Sequence, residues 1–111
     1  MNNWKEITQE LDVQNIIEKS ASKPQIIYKH SVTCGISAHA KDKLINGSHL
    51  LIANADFNYL DLLRFRSIST LIGQKLKVTH QSPQIIVLKD RKVVHTTSHR
   101  AIEPAAIAKY L

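Results

Sequence analysis

Apolar residues in the first part of the chain follow first a helical and then a strand-like pattern. Between residues 4 and 19 they recur at intervals of three or four, with acidic residues on the other face, which predicts an amphipathic helix. Residues 20–24 break this pattern and end in Pro24. The apolar, β-branched run at residues 25–30 then predicts a buried strand.

A second helix is expected directly after this strand and a short turn. Ile36, Ala40 and Leu44 recur at a spacing of four, which places them on one face of a helix. Asn46 and Gly47 are typical of a helix C-terminus, so this helix is expected to end there.

The middle of the chain is expected to hold one more strand and one more helix. The short apolar run at residues 49–53 predicts a strand. The spacing of Leu60, Leu63 and Leu71 predicts a helix over residues 58–72. A polar loop is expected over residues 78–83.

The last third of the chain contains a predicted hairpin and a final helix. Residues 84–89 and 92–97 are β-rich and are separated only by Asp90 and Arg91, which predicts two antiparallel strands. Arg91 is a poor residue for such a turn, because glycine normally takes the positive φ required there. Pro104 suits the first turn of a helix that runs to the last residue.

The predicted order is therefore α-β-α-β-α-β-β-α, in an α/β fold. The first two strands are joined through a helix and are expected to be parallel, whereas the hairpin extends the sheet antiparallel. This gives a four-stranded mixed sheet flanked by helices, in a single domain over residues 1–111. A reactive group is expected at the carboxyl end of the first strand.

Composition and charge narrow the classes of partner. The chain is 43% hydrophobic and 22% charged, as in ordinary globular proteins, and it has neither a membrane-length apolar run nor a signal-like start, so a cytoplasmic location without a membrane partner is expected. Residues 1–22 carry a net charge of −2 and residues 23–111 carry +8. The basic residues are scattered and aromatic residues are few, which disfavours nucleic acid and leaves an acidic small molecule as a possible partner.

Cys34 is the only cysteine, and it falls between the first predicted strand and the next helix. At a helix N-terminus, unpaired N–H groups and the helix dipole lower the pKa of a thiol from about 8.5 to roughly 3.5–7.5. Lys29 and His30 favour the thiolate in the same way. The alternative is that Cys34 is a small buried hydrophobic residue without a chemical role.

The frame Cys34-Gly35-Ile36-Ser37 has the spacing of a redox Cys-x-x-Cys motif, with serine in place of the second cysteine. A single cysteine cannot form an internal disulfide. A mixed disulfide formed by Cys34 must therefore be resolved by a thiol from another molecule, and the lack of an internal disulfide suits a reducing compartment.

The segment Thr33-Cys34-Gly35-Ile36-Ser37 resembles the Thr-Cys-Pro-Ile-Ser box of the YtxJ-type monothiol bacilliredoxins, of the thioredoxin-like superfamily, at four of five positions. The segment His80-Gln81-Ser82-Pro83-Gln84 before an apolar strand, and Ser98-His99 after the last strand, are also similar to that family. The likeness spans nearly the whole chain. Gly35 is the departure, because proline there would stiffen the turn before the helix.

The resemblance implies a thioredoxin-like fold and chemistry on bacillithiol, a low-molecular-weight thiol that caps protein cysteines under oxidative stress. Cys34 would attack the mixed disulfide of a bacillithiolated protein, release the protein thiol and take the bacillithiol onto itself. A second bacillithiol would regenerate it. Bacillithiol is thus an expected co-substrate, and no tightly bound cofactor is implied. Its malate moiety is anionic, so the positive charge of residues 23–111 would attract it.

The resemblance also implies a cis peptide bond before Pro83, facing the sulfur. The exposed backbone of Ser82 would then bind a peptide-like thiol substrate as an added strand, with Gly35 the third expected substrate-binding residue. Thr33 and Ser37 are candidates to donate hydrogen bonds to the thiolate. Ser37 equally suits the first helical turn, and Ser82 an ordinary loop.

The arginines and histidines indicate a functional site less specifically than the segment around Cys34 does. Arg64, Arg91 and Arg100 are candidate anion-binding residues, and each is also explained as a surface charge. His30 and His80 are expected nearest to the site. No pair among the six histidines has a spacing typical of metal ligands, so no metal site is predicted.

Two other classes of function stay open. A redox-silent, thioredoxin-like adaptor would have a Cys34 that reacts no faster than a free cysteine. A nucleic-acid-binding protein would act through the basic residues of 23–111, and its affinity would fall steeply with salt.

Overall fold

The computed structural model describes residues 4–31 and 35–111, with the side chains of Ile36 and Ser37 left outside this description. The strands are β1 (Trp4–Glu6), β2 (Gln25–His30), β3 (Asp56–Asp61), β4 (Gln84–Lys89) and β5 (Lys92–Ser98). The helices are α1 (Glu10–Lys19), α2 (Gly35–Asn46), α3 (Ser48–Ile52), α4 (Arg66–Leu76) and α5 (Pro104–Ala108), with a 3-10 helix (His99–Ala101) before α5.

The strands form one mixed sheet in the order β1-β3-β2-β4-β5. β3 is parallel to both β1 and β2, whereas β4 is antiparallel to β2 and β5. β2 lies in the middle, and all six of its residues are buried. The predicted mixed sheet flanked by helices is confirmed, but it has five strands instead of four.

Two apolar clusters cover the faces of the sheet. On one face, side chains of β2 and β3 pack against α2, α3 and α5; the buried members include Tyr28, Phe57, Leu44, Leu51 and Ile107. On the other, they pack against α1 and α4; the buried members include Ile27, Leu60, Val13 and Ile72. Alternate residues of β2 therefore anchor helices on opposite faces. Of the helices described, none combines the length and hydropathy needed to cross a membrane.

The prediction of a first helix over residues 4–19 is wrong at its start. Trp4 opens strand β1, where its ring stacks on Phe57 of β3 with 4.3 Å between centroids. The helix begins only at Glu10, and Asp12 Oδ2 accepts a hydrogen bond from the Gln9 N–H at 3.2 Å. Pairing with a distant strand and a local cap together outweigh the helical spacing of the apolar residues.

The predicted strand at 49–53 is also wrong, and the helix predicted over 58–72 is wrong in its first half. Residues 48–52 form α3, in which Leu51 is fully buried and Leu50 is 40% exposed, because only one face of this short helix meets the core. The strand lies further on, as β3, and α4 starts at Arg66. A short run of leucine and isoleucine fits a buried helix as well as a strand, so tertiary packing decides its state.

The predicted hairpin and second helix are confirmed. Asp90 and Arg91 both have positive φ, 54° and 64°, as a two-residue hairpin turn requires. Arg91 is tolerated there because its N–H donates to Ser20 Oγ at 2.8 Å and the Asp90 N–H donates to the Ser20 carbonyl at 2.8 Å. These bonds tie the turn to the end of α1.

Gly47 separates α2 from α3, and its role differs from the expected C-terminal cap. Its φ is −103°, outside the left-handed region. A Cβ atom at this position would lie 2.5 Å from the ring of Pro104. The glycine is therefore required by the close approach of α5.

Candidate active site

The carboxyl end of β2 leads into the segment that carries the predicted nucleophile. His30 and Ser31 are buried there, and α2 begins at Gly35. Thr33 and Cys34 lie outside the described residues, as does the side chain of Ser37, so their assigned roles stay predictions. The described flanks give the expected strand-to-helix connection.

Gly35 is not constrained by the structure around it. It is exposed, its φ is not positive, and a Cβ atom built on it would meet nothing within 4 Å. Neither backbone conformation nor packing among the described residues therefore requires glycine at this position.

The Ser82–Pro83 peptide bond is cis, as the resemblance predicts. Pro83 directly precedes β4, whose first residue, Gln84, pairs with Lys29 near the carboxyl end of β2. The Pro83 carbonyl accepts a hydrogen bond from the His99 N–H at 3.0 Å. The cis-proline, the end of β2 and the start of the 3-10 helix thus meet at one edge of the sheet.

The hydroxyl of Ser82 is an unusual group at this edge. Its Oγ atom is buried and, within the described part of the chain, has no hydrogen-bond partner. An unpaired buried hydroxyl costs about 1–3 kcal/mol, so a ligand that pairs with it gains affinity.

A basic groove of about 530 Å³ opens beside the start of α2. It is lined by Gly35, His39 and Lys43, which lie one helical turn apart on α2, and by Arg100 of the 3-10 helix. Lys43 also forms an ion pair with Glu103 at 2.7 Å, so its charge is partly compensated. Arg100 has no ion pair among the residues described, so it is the cation most available to an anionic ligand.

The three candidate arginines are thus separated by the fold. Arg100 lines the groove, whereas Arg64 lies over the ring of Phe65 at 5.2 Å. Arg91 is in the hairpin turn at the opposite end of β4, where it pairs with Glu18 at 3.2 Å. Sequence reasoning missed His39 and Lys43, although their spacing of four from Gly35 is a usable signal.

His30 belongs to an aromatic cluster on the α2 face of the sheet. Its Nδ1 lies 2.9 Å from the Tyr28 hydroxyl, and its ring centroid is 5.6 Å from that of Tyr59. Burial, and then the positive charge of Lys41, lower the pKa of His30, while Asp61 acts in the opposite direction. His30 is therefore neutral at pH 7 and serves as a packing and hydrogen-bonding group.

Lys29 is fully buried on the other face of β2. Its Nζ donates to the Ser69 carbonyl at 3.3 Å and lies 3.4 Å from His80 Nδ1. Burial lowers the pKa of Lys29 to about 8. From the sequence alone, Lys29 is only a charged residue in an otherwise apolar strand. Its complete burial away from a carboxylate depends on tertiary packing.

The described residues offer no group of three His, Cys, Asp or Glu side chains that could hold a metal ion. The arrangement can instead receive an extended or anionic ligand at the edge where β2, the cis-proline and the basic groove meet.

Comparison with known proteins agrees with this arrangement. Residues 5–107 match a family described as monothiol bacilliredoxin BrxC. A solved structure described as a candidate oxidoreductase with a thioredoxin fold is 28% identical, with a TM-score of 0.84, and the match covers 98% of this chain and 94% of that one. Reduced thioredoxin pre-protein from Schistosoma mansoni is 17% identical, with a TM-score of 0.74, and the match covers 98% of this chain and 99% of that one. Fasciola hepatica thioredoxin is 16% identical, with a TM-score of 0.68, and the match covers 95% of this chain and 93% of that one. The last two show the thioredoxin fold.

Proposed function

Because the chain belongs to the monothiol bacilliredoxin family and is a thiol oxidoreductase of thioredoxin fold, we propose that it removes bacillithiol from protein mixed disulfides. The family match carries this proposal, since residues 5–107 include both the segment 33–37 and the Ser82–Pro83 bond. Cys34 is the proposed nucleophile, and an external thiol is the proposed resolving group.

The reaction consists of two thiol–disulfide exchanges. The Cys34 thiolate attacks the bacillithiol sulfur of the mixed disulfide, the S–S bond breaks, and the substrate protein leaves as a thiolate that takes a proton from water. A new disulfide then joins Cys34 to bacillithiol. The thiolate of a second bacillithiol attacks the bacillithiol sulfur of that disulfide, which restores Cys34 and yields bacillithiol disulfide.

Thr33, Ser37 and the start of α2 are proposed to hold Cys34 as a thiolate. Backbone N–H groups in the first turn of a helix have no partner within the helix, and the positive end of its dipole favours a negative sulfur. Hydroxyl donors from Thr33 and Ser37 would add to this effect by stabilising the charged form. The expected consequence is a Cys34 pKa below that of a free cysteine.

Ser82, Pro83 and Gly35 are proposed to bind the substrate next to the sulfur. The backbone of Ser82 would pair with the peptide-like part of the mixed disulfide, in the manner of an added strand. The unpaired Ser82 Oγ supports this role, because a polar atom of the ligand would satisfy it.

The groove lined by His39, Lys43 and Arg100 is proposed to receive the malate carboxylates of bacillithiol. Its wall begins at Gly35, the residue after the proposed nucleophile, so a thiol attached to Cys34 would lie close to the positive charges of Lys43 and Arg100. A guanidinium group binds a carboxylate with two parallel hydrogen bonds, which makes Arg100 the main contact in this proposal.

The test is the release of thiol from a bacillithiolated protein in the presence of excess bacillithiol. Wild-type protein is expected to release it catalytically and Cys34→Ser to be inactive. The same substrate capped with glutathione serves as a control for the preference for bacillithiol. Equal rates for the wild-type protein and Cys34→Ser would contradict the proposal, and so would equal rates for the two caps.

A further inference from the structure

Lys29 carries a positive charge into the core without a matching carboxylate. It is fully buried, and it takes part in none of the four ion pairs found among the described residues. Within residues 4–31 and 35–111, its ammonium group contacts the Ser69 carbonyl and His80 Nδ1. A buried ammonium group with only neutral acceptors is unfavourable unless an anion joins it.

The groups around Lys29 are also basic. A cleft of about 350 Å³ is lined by Arg66, Ser69 and His80, among others, so the two groups that bind Lys29 Nζ also form its wall. Arg66 is exposed, and it too is absent from the ion pairs of the described residues. Burial, and then the positive charges of Lys29 and Arg66, lower the pKa of His80.

The tautomer of His80 suits an anion in this cleft. A neutral ring that accepts the Lys29 ammonium proton at Nδ1 carries its own proton on Nε2. Nε2–H is then a donor, as is the guanidinium of Arg66, and both side chains line the cleft. Lys29 is buried behind this wall, where it contacts Ser69 and His80, and it adds positive charge. No acidic side chain among the described residues forms an ion pair with Lys29 or Arg66.

We propose that Arg66 and His80, together with the positive charge of Lys29 buried behind them, form a binding site for a small oxyanion, either a carboxylate or a phosphate. The site is separate from the groove of His39, Lys43 and Arg100. That groove lies beside α2, on the face of the sheet that Tyr28 points to, whereas Lys29 points to the opposite face, which is covered by α4. It goes beyond the proposed function, because it requires neither Cys34 nor a thiol.

The site is nevertheless tied to the same edge of the sheet as the cis-proline. Leu62, which also lines the cleft, donates its N–H to the His30 carbonyl at 2.8 Å. His80 lies two residues before Ser82 in the same loop. A bound anion would therefore hold the loop next to the end of β2.

The experiment is a titration of the full-length protein with inorganic phosphate or with acetate, followed by NMR signals of the His80 ring and the Ser69 amide, at constant ionic strength set with chloride. Wild-type protein is expected to show a saturable shift of both signals with at least one of the two anions. The anion that saturates identifies the class of ligand. Because no thiol reaction is measured, the result is independent of the proposed function.

Three variants locate the binding. Lys29→Met and Arg66→Gln each remove a charged donor and are expected to weaken binding by about tenfold or more. Arg66 is exposed, so Arg66→Gln keeps the fold even if Lys29→Met alters it. Arg91→Gln removes the same type of charge from the hairpin turn, away from the cleft, and is expected to leave the anion-dependent shifts of the His80 and Ser69 signals as in the wild-type protein.

Two results would overturn the proposal. One is the absence of a saturable shift with both anions. The other is a shift that is equally strong in Lys29→Met and Arg66→Gln, which would mean that any anion binds elsewhere and that Lys29 has a structural role only.

Discussion

Replacement of Lys29 by methionine is expected to stabilise the protein. Methionine has nearly the length of lysine and no charge, so it fills the same buried space beside Ser69 without a desolvation cost. The pKa of Lys29 is lowered from 10.5 to about 8, which corresponds to about 3 kcal/mol of folding free energy that the charged form costs. Loss of the hydrogen bonds to Ser69 and His80 offsets about 1 kcal/mol each.

The net effect at pH 7 is a gain of about 1–2 kcal/mol in the free energy of unfolding, or roughly 4–8 °C in the melting temperature. The gain depends on pH in a defined direction. Below about pH 8 both the folded and the unfolded chain hold the proton on Lys29, and the cost is fully present. Between about pH 8 and pH 10.5 only the unfolded chain holds it, so the wild-type protein recovers stability relative to Lys29→Met.

The assay is urea unfolding of both proteins at pH 7, 8, 9 and 10 in a buffer without phosphate or carboxylate. The other titratable groups near Lys29 are His80 and Arg66, and both are present in the two proteins. Lys109→Met is a matched control, because Lys109 is exposed. The reasoning would be refuted if Lys29→Met were less stable at pH 7, or if its advantage did not shrink as the pH rises.

Three further predictions concern the groove, the glycines and the sulfur. Arg100→Gln is expected to raise KM for a bacillithiolated substrate about tenfold with little change in kcat, and an unchanged KM would exclude the groove. Gly47→Ala is expected to lower the melting temperature, because the added Cβ would lie 2.5 Å from Pro104. Gly35→Ala is expected to leave the melting temperature unchanged or slightly raised, because its Cβ would meet nothing within 4 Å. Equal effects of the two substitutions would contradict the packing described. At pH 6, Cys34 is expected to react with a thiol-specific label faster than free cysteine, and an equal rate would favour the adaptor.

The parts of the fold that sequence predicts well are those in which local pattern and tertiary context agree. The run at residues 25–30 predicts a strand correctly, because its apolar centre at Ile26 and Ile27 matches a strand that is buried on both faces. Residues 84–89 and 92–97 predict the hairpin correctly, and even Arg91 at positive φ does not prevent it, because Ser20 anchors the turn.

The prediction fails where an element depends on a distant partner. β1 has three residues, and it is a strand only because Trp4 and its neighbours pair with β3. The exchange of helix and strand between residues 48 and 61 has the same origin. Leu50 and Leu51 fit either state, and the packing of α3 against α5 selects the helix.

The candidate site shows the same division. The cis bond before Pro83 follows from the resemblance of residues 80–84 to the family, whereas the roles assigned to residues 33–37 stay predictions. Arg100 reaches the groove only because the 3-10 helix packs against α2, and Lys29 is isolated only because α4 and the loop of His80 cover it. No spacing of residues in the sequence predicts that Arg100 lies beside α2 or that Lys29 contacts Ser69 and His80.

The most direct test of the proposed chemistry is the intact mass of the protein after exposure to a bacillithiolated substrate without free bacillithiol. Wild-type protein is expected to gain the mass of one bacillithiol, to lose it when bacillithiol is added, and to show no gain as Cys34→Ser. A mass that stays unchanged in the wild-type protein, or that increases equally in Cys34→Ser, would contradict transfer to Cys34.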